Sequence, residues 1–246
     1  MNSRLELLAP AGDLESFLAA VNSGADAVYL GLIGFNARNK AENFDFDKLK
    51  YAIEFAHFHN VKVYITVNTL VKNSEFPLFL DSVKRAVELS ADAFIVQDLG
   101  AVDALKKCFP GIVLHASTQM GIHNLLGAKE AEALGIKRVV LSRETRLEDI
   151  AKIKQNTSLE LEFFVQGALC VSFSGNCYLS SLSLGKSGNR GQCAQLCRHS
   201  YNYDKQDGYY LSARDLSLLN NLKALSEAGI SSFKIEGRLR RSGYVA

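Results

Sequence analysis

The sequence predicts an α/β fold, specifically a (β/α)8 barrel of the TIM type, from three observations. Short runs rich in Val, Ile, Leu and Phe alternate regularly with amphipathic helical patterns. Three helix-to-strand junctions resemble one another, NSGADAVYLGL, ELSADAFIVQDL and EALGIKRVVLSR. Eight strands alternate strictly with helices, which favours a barrel. A doubly wound open sheet is the alternative, but the turn after the first strand, PAGD, lacks a dinucleotide-type glycine fingerprint.

The elements follow in chain order. Apolar runs predict strands at 5–9, 27–32, 62–67, 93–96, 113–116, 138–141, 161–165 and 232–235. Helical periodicity predicts helices at 14–21, 46–59, 78–89, 100–108, 126–134, 146–155 and 217–228. Several of these helices end at a glycine or asparagine just before the next strand, as C-caps do: Gly24, Asn60, Gly135 and Gly229.

Only LRRSGYVA follows the eighth predicted strand. A barrel of this type closes with a helix of about ten or more residues. We therefore expect the final helix to be missing or truncated. We also expect residues 1–246 to form a single barrel domain, the N-terminal part of a longer protein.

Composition excludes several classes of protein. The hydrophobic fraction of 48% supports a packed core, and the net charge of +2 is not that of a global polyelectrolyte. No apolar run approaches the roughly 20 residues that span a bilayer. The start, MNSRLELLAPAG, has no apolar signal-peptide core. We expect a cytoplasmic protein with no membrane partner, in which thiols stay reduced.

Polar residues follow the predicted strands, at the end of a barrel where catalytic groups cluster. Three of them are the candidate catalytic residues: Arg143, Glu144 and Glu236. Arginine pairs suit anionic ligands, because guanidinium matches carboxylate or phosphate. The candidate substrate-binding residues are Arg38, Asn68, Asp98, Gln119 and Arg238. For any single residue, helix capping or a salt bridge is the competing interpretation.

Two other reactive residue types have structural interpretations. His115 lies near the end of the fifth strand, where an acid–base role is conceivable, but a hydrogen-bonded core histidine is favoured. Cys108 ends a helix before Pro110 and is expected to be a small buried packing residue. No Gly-x-Ser-x-Gly elbow, HExxH helix or P-loop occurs.

Four of the five cysteines lie in one glycine- and serine-rich stretch, 166–201, which is predicted to be an insertion after the seventh strand. Their spacings, C-x6-C, C-x15-C and C-x3-C, fit the C-x2-C knuckles of zinc ribbons poorly. Uneven spacing suits an iron–sulfur cluster with four soft ligands, with zinc, reduced structural cysteines and disulfides as alternatives. Arg190 and Arg198 would compensate the charge of such a cluster. Five glycines would let the backbone approach it: Gly167, Gly175, Gly185, Gly188 and Gly191.

The segment ELEFFVQGALCVSFSGNCYLSS resembles the signature of peptidase family U32, the collagenase-like peptidases. LELLAPAG with GADAVYLGL, VYITVNTLV, HASTQM, GNRGQCAQLCR and FKIEGR resemble segments of the same family, in the same order. The resemblance covers essentially the whole chain, which is therefore identified as a member.

The resemblance carries functional implications. The family is named for collagen-degrading peptidases, yet no catalytic dyad is evident in its motifs. Other members act in oxygen-independent hydroxylation of tRNA uridine, of cytidine in the large ribosomal RNA, and of the ubiquinone ring. Several carry a 4Fe–4S cluster on cysteines of this segment, and the RNA members are linked to prephenate as oxygen source. By matching positions, the implied cluster ligands are Cys170, Cys177, Cys193 and Cys197.

GKSGNRGQCAQLCR is most similar to members of the ribosomal RNA cytidine hydroxylation type, which carry a further C-terminal domain. This chain departs from the family at two positions. Gln166 stands where many members have histidine, and Ser217 stands where some supply another cysteine. A role for that histidine is therefore in doubt, and Cys197 would have to complete the ligand set.

Three hypotheses follow. The first is an iron–sulfur-dependent, oxygen-independent RNA base hydroxylase, acting on rRNA cytidine or tRNA uridine with prephenate as a small anionic donor. The second is a collagenase-like peptidase of unknown catalytic type, with Cys170 as the candidate nucleophile. The third is a non-catalytic, cluster-binding partner subunit. In the first, RNA phosphates would be held by a rim of arginines: Arg190, Arg198, Arg238, Arg240 and Arg241.

Overall fold

A computed structural model describes residues 5–174 and 176–246 of the chain. Eight parallel strands form a closed barrel, as predicted, and three further strands follow the seventh. Gly175, one of the glycines expected near the cluster, lies outside the described residues. In chain order the strands are β1 (Glu6–Ala11), β2 (Ala27–Gly31), β3 (Lys62–Val67), β4 (Ala93–Val96), β5 (Leu114–Ala116), β6 (Arg138–Val140), β7 (Glu160–Gly167), β8 (Tyr201–Tyr203), β9 (Gln206–Gly208), β10 (Leu216–Ser217) and β11 (Ser232–Ile235).

Helices connect the strands and form the outer ring. Side-chain oxygens of Asp13, Asp45, Asp98 and Asn124 accept backbone N–H bonds at the starts of four helices, and so act as N-caps. The helices are α1 (Leu14–Asn22), α2 (Phe46–Phe58), α3 (Phe76–Glu88), α4 (Leu99–Cys108), α5 (Leu125–Ala133), α6 (Leu147–Asn156), α7 (Leu179–Leu184), α8 (Leu222–Glu227) and α9 (Ser242–Val245).

The barrel closes through β11, which pairs in parallel with both β1 and β7. Leu8 lies opposite Lys234, and Phe233 lies opposite Phe163. The remaining neighbours follow chain order from β1 to β7. The short helix α9 packs against α1, with the Ser242 hydroxyl donating to Glu15 at 2.6 Å. A one-turn helix thus follows β11, where the sequence predicts a missing or truncated one.

Residues alternate between two apolar layers, as buried strands require. A large outer layer lies between strands and helices, and a smaller one fills the barrel around Leu8, Tyr29, Tyr64 and Ile95. His115 lies in the interior, with its ring 4.9 Å from that of Tyr64. Its burial is as predicted, but its Nδ1 has no hydrogen-bond partner among the described residues.

A buried charge network occupies the amino-terminal half of the barrel interior. Lys234 Nζ donates to Glu162 Oε1 at 2.7 Å, and Arg138 donates to Glu162 Oε2 at 3.1 Å. Arg138 also bonds Glu6 and, at 2.8 Å, Glu160. Each charged group here faces an opposite charge, which offsets the cost of burying it.

The segment between β7 and β10 is the cysteine-rich insertion. Leu216 and Ser217 pair antiparallel with Gly167 and Gln166, so the insertion ends beside the point where it starts. The sequence-based helix at 217–228 is therefore wrong at its start, because Ser217 lies in β10 and α8 begins at Leu222. No helix within residues 5–174 and 176–246 is both long enough and apolar enough to cross a membrane.

Candidate functional site

A cavity of about 570 Å³ opens at the carboxyl ends of the barrel strands. Residues at the ends of the strands form the floor of the cavity, and the cysteine-rich insertion forms its wall. Besides the four cysteines, eight residues are predicted for the site, and six of them line the cavity. Those that line the cavity are Arg38, Asn68, Gln119, Arg143, Glu236 and Arg238.

Arg38 and Glu236 form an ion pair across the cavity mouth. Arg38 donates to Glu236 Oε1 from Nη2 at 3.0 Å and from Nε at 3.3 Å. Burial opposes ionisation of Glu236, but the charges of Arg38, Arg143 and Arg238 outweigh it and hold its pKa below the ordinary value. Glu236 is therefore a carboxylate at neutral pH and not a proton donor.

Arg238 is a buried cation bound to neutral groups. It donates to Thr66 Oγ1 at 2.8 Å and to Asn36 Oδ1 at 3.1 Å. Among the described residues no carboxylate lies within ion-pair distance of it. Burial, with the nearby charge of Arg38, lowers the pKa of Arg238 to about 10, so it stays protonated at neutral pH. Gly31 makes room for this guanidinium, since a Cβ there would lie 2.4 Å from Nη1.

Arg143 and Gln119 also present unused binding capacity. The Arg143 guanidinium lies 4.7 Å from the centroid of the Phe164 ring and meets no carboxylate in the described part of the chain. Gln119 Oε1 is buried without a hydrogen-bond partner there. Asn68 is already engaged, accepting from Ala37 N–H at 3.1 Å and donating to Ser117 Oγ at 3.2 Å. The cavity can thus hold an anion between two guanidinium groups.

Two predicted site residues lie outside the cavity lining. Asp98 accepts from the backbone N–H groups of Ala101 at 2.9 Å and Val71 at 3.1 Å, which is the capping alternative. Glu144 is exposed, and its oxygens meet Ser174 at 3.3 and 3.4 Å. Both follow a strand, but their side chains turn to neighbouring loops. The structure supports a structural role for each.

All four cysteines of the insertion line the cavity. None forms a disulfide. Burial raises the pKa of the Cys197 thiol, and the neighbouring Cys170, Cys193 and Cys177 raise it further, while Arg198 lowers it. The four thiols form a soft donor set that a bound cationic centre would stabilise as thiolates. Among the described residues no three His, Cys, Asp or Glu side chains stand close enough to hold a single metal ion.

The fifth cysteine differs from the other four. Cys108 is exposed at the end of α4, so the expected buried packing role is wrong. The amphipathic pattern of α4 directs Ala101, Val102 and Leu105 inward and leaves position 108 facing solvent.

Arginines of the insertion anchor it to the barrel. Arg190 pairs with Glu75 at 2.6 Å and donates to Leu70 O at 2.7 Å. Arg198 donates to Leu169 O at 2.8 Å, to Ser212 Oγ at 2.9 Å and to Ala213 O. Of the expected phosphate-binding rim, Arg238 is buried and Arg240 pairs with Asp215 at 2.8 Å. Arg241 is exposed.

Sequence reasoning missed two residues of this cavity, Thr66 and Lys234. It also did not foresee that Asn36 would be a partner of Arg238. Lys234 lines the cavity floor, 4.2 Å from the centroid of the Tyr29 ring. The sequence does carry a signal for Lys234, because Ser232 and Lys234 alternate with apolar residues and so share the inward face of β11.

Two relatives with assigned names match nearly the whole of this chain. "tRNA hydroxylation protein P" of Helicobacter pylori is 40% identical over 99% of this chain and 62% of its own length. "23S rRNA 5-hydroxycytidine C2501 synthase" of Escherichia coli is 41% identical over 98% of this chain and 38% of its own. The chain therefore spans less than two thirds of the length of these relatives.

Among solved structures, the U32 peptidase Mk0906 superposes with a TM-score of 0.67 at 12% identity, covering 96% of this chain and 94% of that one. At this identity the likeness concerns the fold alone. The Peptidase family U32 pattern matches residues 12–246, the barrel and the insertion together. On this match, the chain belongs to peptidase family U32.

Proposed function

We propose that this chain is the catalytic barrel of an iron–sulfur-dependent, oxygen-independent RNA base hydroxylase. The observation that carries the proposal is the meeting of four cysteines and two carboxylate-free arginines on one cavity. The names of the two hydroxylation relatives, at 40% and 41% identity, support RNA as substrate. An RNA substrate also fits a cytoplasmic protein.

Cys170, Cys177, Cys193 and Cys197 would hold a 4Fe–4S cluster. Soft thiolates are the ligands that such clusters take. The uneven spacing of the four cysteines favours a cluster over zinc, because zinc ribbons pair C-x2-C knuckles. When bound, the cluster would supply one-electron chemistry next to the barrel mouth.

The barrel residues would bind the oxygen donor. Arg238 and Arg143 would take the carboxylates of a small dianion such as prephenate, because each guanidinium lacks a carboxylate partner among the described residues. Glu236, kept ionised beside Arg38, would orient Arg38 and exclude a third carboxylate. The insertion would shield the donor from water.

The peptidase alternative has less support. A cysteine nucleophile such as Cys170 needs a base within hydrogen-bond reach. Among the described residues that line the cavity there is no histidine. A non-catalytic cluster-binding subunit fits the cysteines but leaves the two free guanidinium groups without a role.

The test is anaerobic purification of the full-length protein, with iron and sulfide analysis and a visible spectrum. We expect a brown protein whose iron and colour are lost in Cys193→Ala. Cys108→Ala is the matched control, since Cys108 is exposed and distant in sequence, and it should keep both. A Cys193→Ala protein with full iron content would refute the ligand assignment.

Activity is tested separately by nucleoside mass spectrometry of RNA from cells that carry either form as their sole copy. The hydroxylated nucleoside should be present with the wild type and Cys108→Ala, and absent with Cys193→Ala. Unchanged RNA in all strains, together with cleavage of a peptide library by the pure protein, would favour the peptidase.

A further inference from the structure

The hairpin β8–β9 presents three tyrosines on one face. Tyr201 and Tyr203 alternate with Asn202 along β8, and Gly208 lies opposite Tyr201. The ring of Tyr210 folds back over Gly208, where a Cβ would lie 3.0 Å from it. The rings of Tyr203 and Tyr210 meet edge to face at 5.9 Å. Glycine at position 208 thus makes room for a continuous aromatic surface, called here the tyrosine face (Tyr201, Tyr203 and Tyr210).

The tyrosine face is open and held in place. Tyr203 is 74% exposed and Tyr210 is 52% exposed, far more than rings that serve a core. The hydroxyls of Tyr201 and Tyr210 donate to Leu196 O at 2.7 Å and to Gln206 O at 3.0 Å. Two of the three rings are therefore held by hydrogen bonds to the backbone and yet remain exposed to solvent. A preorganised aromatic surface of this kind binds flat ligands at low entropic cost.

Arg198 ties this hairpin to the cavity rim. Its guanidinium binds Leu169, before Cys170, and both Ser212 and Ala213, after the hairpin. Arg198 itself lines the cavity. The tyrosine face is thus fixed to the wall of the same cavity that the four cysteines line.

The charge around the cavity indicates a polyanionic partner. Lys40 and Arg214 are exposed, and Arg241 stands at the start of α9. Two acidic residues close to the hairpin already have partners: Asp207 accepts a hydrogen bond from Asn202 at 3.0 Å, and Asp215 forms an ion pair with Arg240. Cations outnumber carboxylates among the cavity-lining side chains, Arg38, Lys40, Arg143, Arg198, Lys234, Arg238 and Arg240 against Asp215 and Glu236.

We propose that the tyrosine face stacks unpaired RNA bases next to the target nucleotide and holds the strand over the cavity. Base–aromatic stacking tolerates any sequence, because every base has a π-face. An enzyme acting on a base atom must take that base out of its helix, and exposed rings beside the cavity stabilise the unstacked neighbours. The proposal rests on the proposed function in taking RNA as the substrate.

The test measures binding of a fluorescein-labelled single-stranded RNA of mixed sequence to the full-length, anaerobically purified holoprotein, by fluorescence anisotropy. Tyr203→Ala with Tyr210→Ala should weaken binding about tenfold or more, as loss of stacking does. Tyr203→Phe with Tyr210→Phe should bind within about twofold of wild type, because the π-faces remain. The salt dependence should keep its slope, since no phosphate contact is removed.

Tyr51→Ala is the matched control, as Tyr51 is an exposed tyrosine on the barrel exterior in α2. It should bind RNA as the wild type does, and all variants should keep their iron content. Wild-type affinity in the double alanine variant would overturn the tyrosine face while leaving the proposed function intact. No binding of single-stranded RNA by any form would instead count against RNA as the substrate. A double alanine variant that changes only the oligomeric state, measured by light scattering, would assign the face to a protein contact and overturn the proposal.

Discussion

At the amino-terminal end of the barrel interior, Glu162 accepts from Lys234 and Arg138, and Arg138 also binds Glu6 and Glu160. At the carboxyl-terminal end, Arg238 meets only the neutral oxygens of Thr66 and Asn36. Both regions bury charge, but among the described residues Arg238 has no carboxylate within ion-pair distance, whereas Lys234 and Arg138 both do. A buried charge without an opposite partner costs stability, which is why we propose that an anionic ligand binds at the carboxyl-terminal end.

The largest effect should come from breaking the paired end. Glu162→Gln leaves two buried cations, Lys234 and Arg138, short of their shared carboxylate. We expect a loss of about 3–5 kcal/mol in the free energy of unfolding, the range seen when one partner of a buried pair is removed. Urea denaturation measures it. Glu42→Gln, which removes an exposed partner of Lys48, is the control and should be silent. A loss below about 1 kcal/mol for Glu162→Gln would contradict the contrast drawn between the two ends.

The paired end should also govern acid stability. Burial raises the pKa of Glu162, but Lys234 and Arg138 outweigh it and hold the pKa below the ordinary 4.5. The unfolded chain therefore binds the proton more readily. The stabilisation is fully present above about pH 4.5 and is lost as the pH falls through the lower, folded pKa. Denaturation curves from pH 6 to pH 3 should show a steep fall that is shallower in Glu162→Gln. Equal slopes in the two proteins would assign the acid sensitivity to other carboxylates.

A substitution at Arg238, at the carboxyl-terminal end of the barrel, should have the opposite effect: a small change in stability and a large change in ligand affinity. Removing Arg238 leaves no acceptor stranded, because Thr66 still donates to Leu30 O and Asn36 Oδ1 still accepts from Arg38 N–H. We therefore expect Arg238→Met to change unfolding free energy by less than about 1 kcal/mol. Prephenate affinity, measured by calorimetry, should fall about tenfold to a hundredfold, the value of a charged hydrogen bond. Arg240→Met, at the rim and paired with Asp215, should keep its affinity for prephenate. Large destabilisation with unchanged prephenate binding would make Arg238 a structural residue.

Local chemistry explains which features could be predicted from sequence. Strand positions followed from apolar runs, because these are short-range signals. The predicted C-cap glycines Gly24, Gly135 and Gly229 all have the positive φ that such caps require. Asp98 and Glu144 follow strands but lie outside the cavity lining, because a position after a strand does not fix the direction of a side chain. The helix predicted from 217 was wrong at its start, since the pairing of Ser217 with Gln166 is a tertiary contact that outweighs local propensity.

The cavity itself needed the three-dimensional structure. Glu162 and Lys234 are hidden in apolar strands, and their pairing joins residues far apart in sequence. The tyrosine face depends on the absence of a Cβ at Gly208 and on three contacts that Arg198 makes with two carbonyl groups and a hydroxyl group, for which the sequence has no periodic signal. The gathering of cysteines was visible in sequence, and their arrangement around the mouth was not.

The antiparallel clip formed by β10 and the end of β7 has a consequence for how this family can vary. A chain segment that leaves and re-enters a scaffold at neighbouring residues closes its own loop, and the entropy of that closure grows only slowly with its length. Changes in chain length between Gly167 and Leu216 should therefore cost little closure entropy and leave the pairing of β10 with β7 in place. The barrel strands and the insertion can then change in length independently of each other.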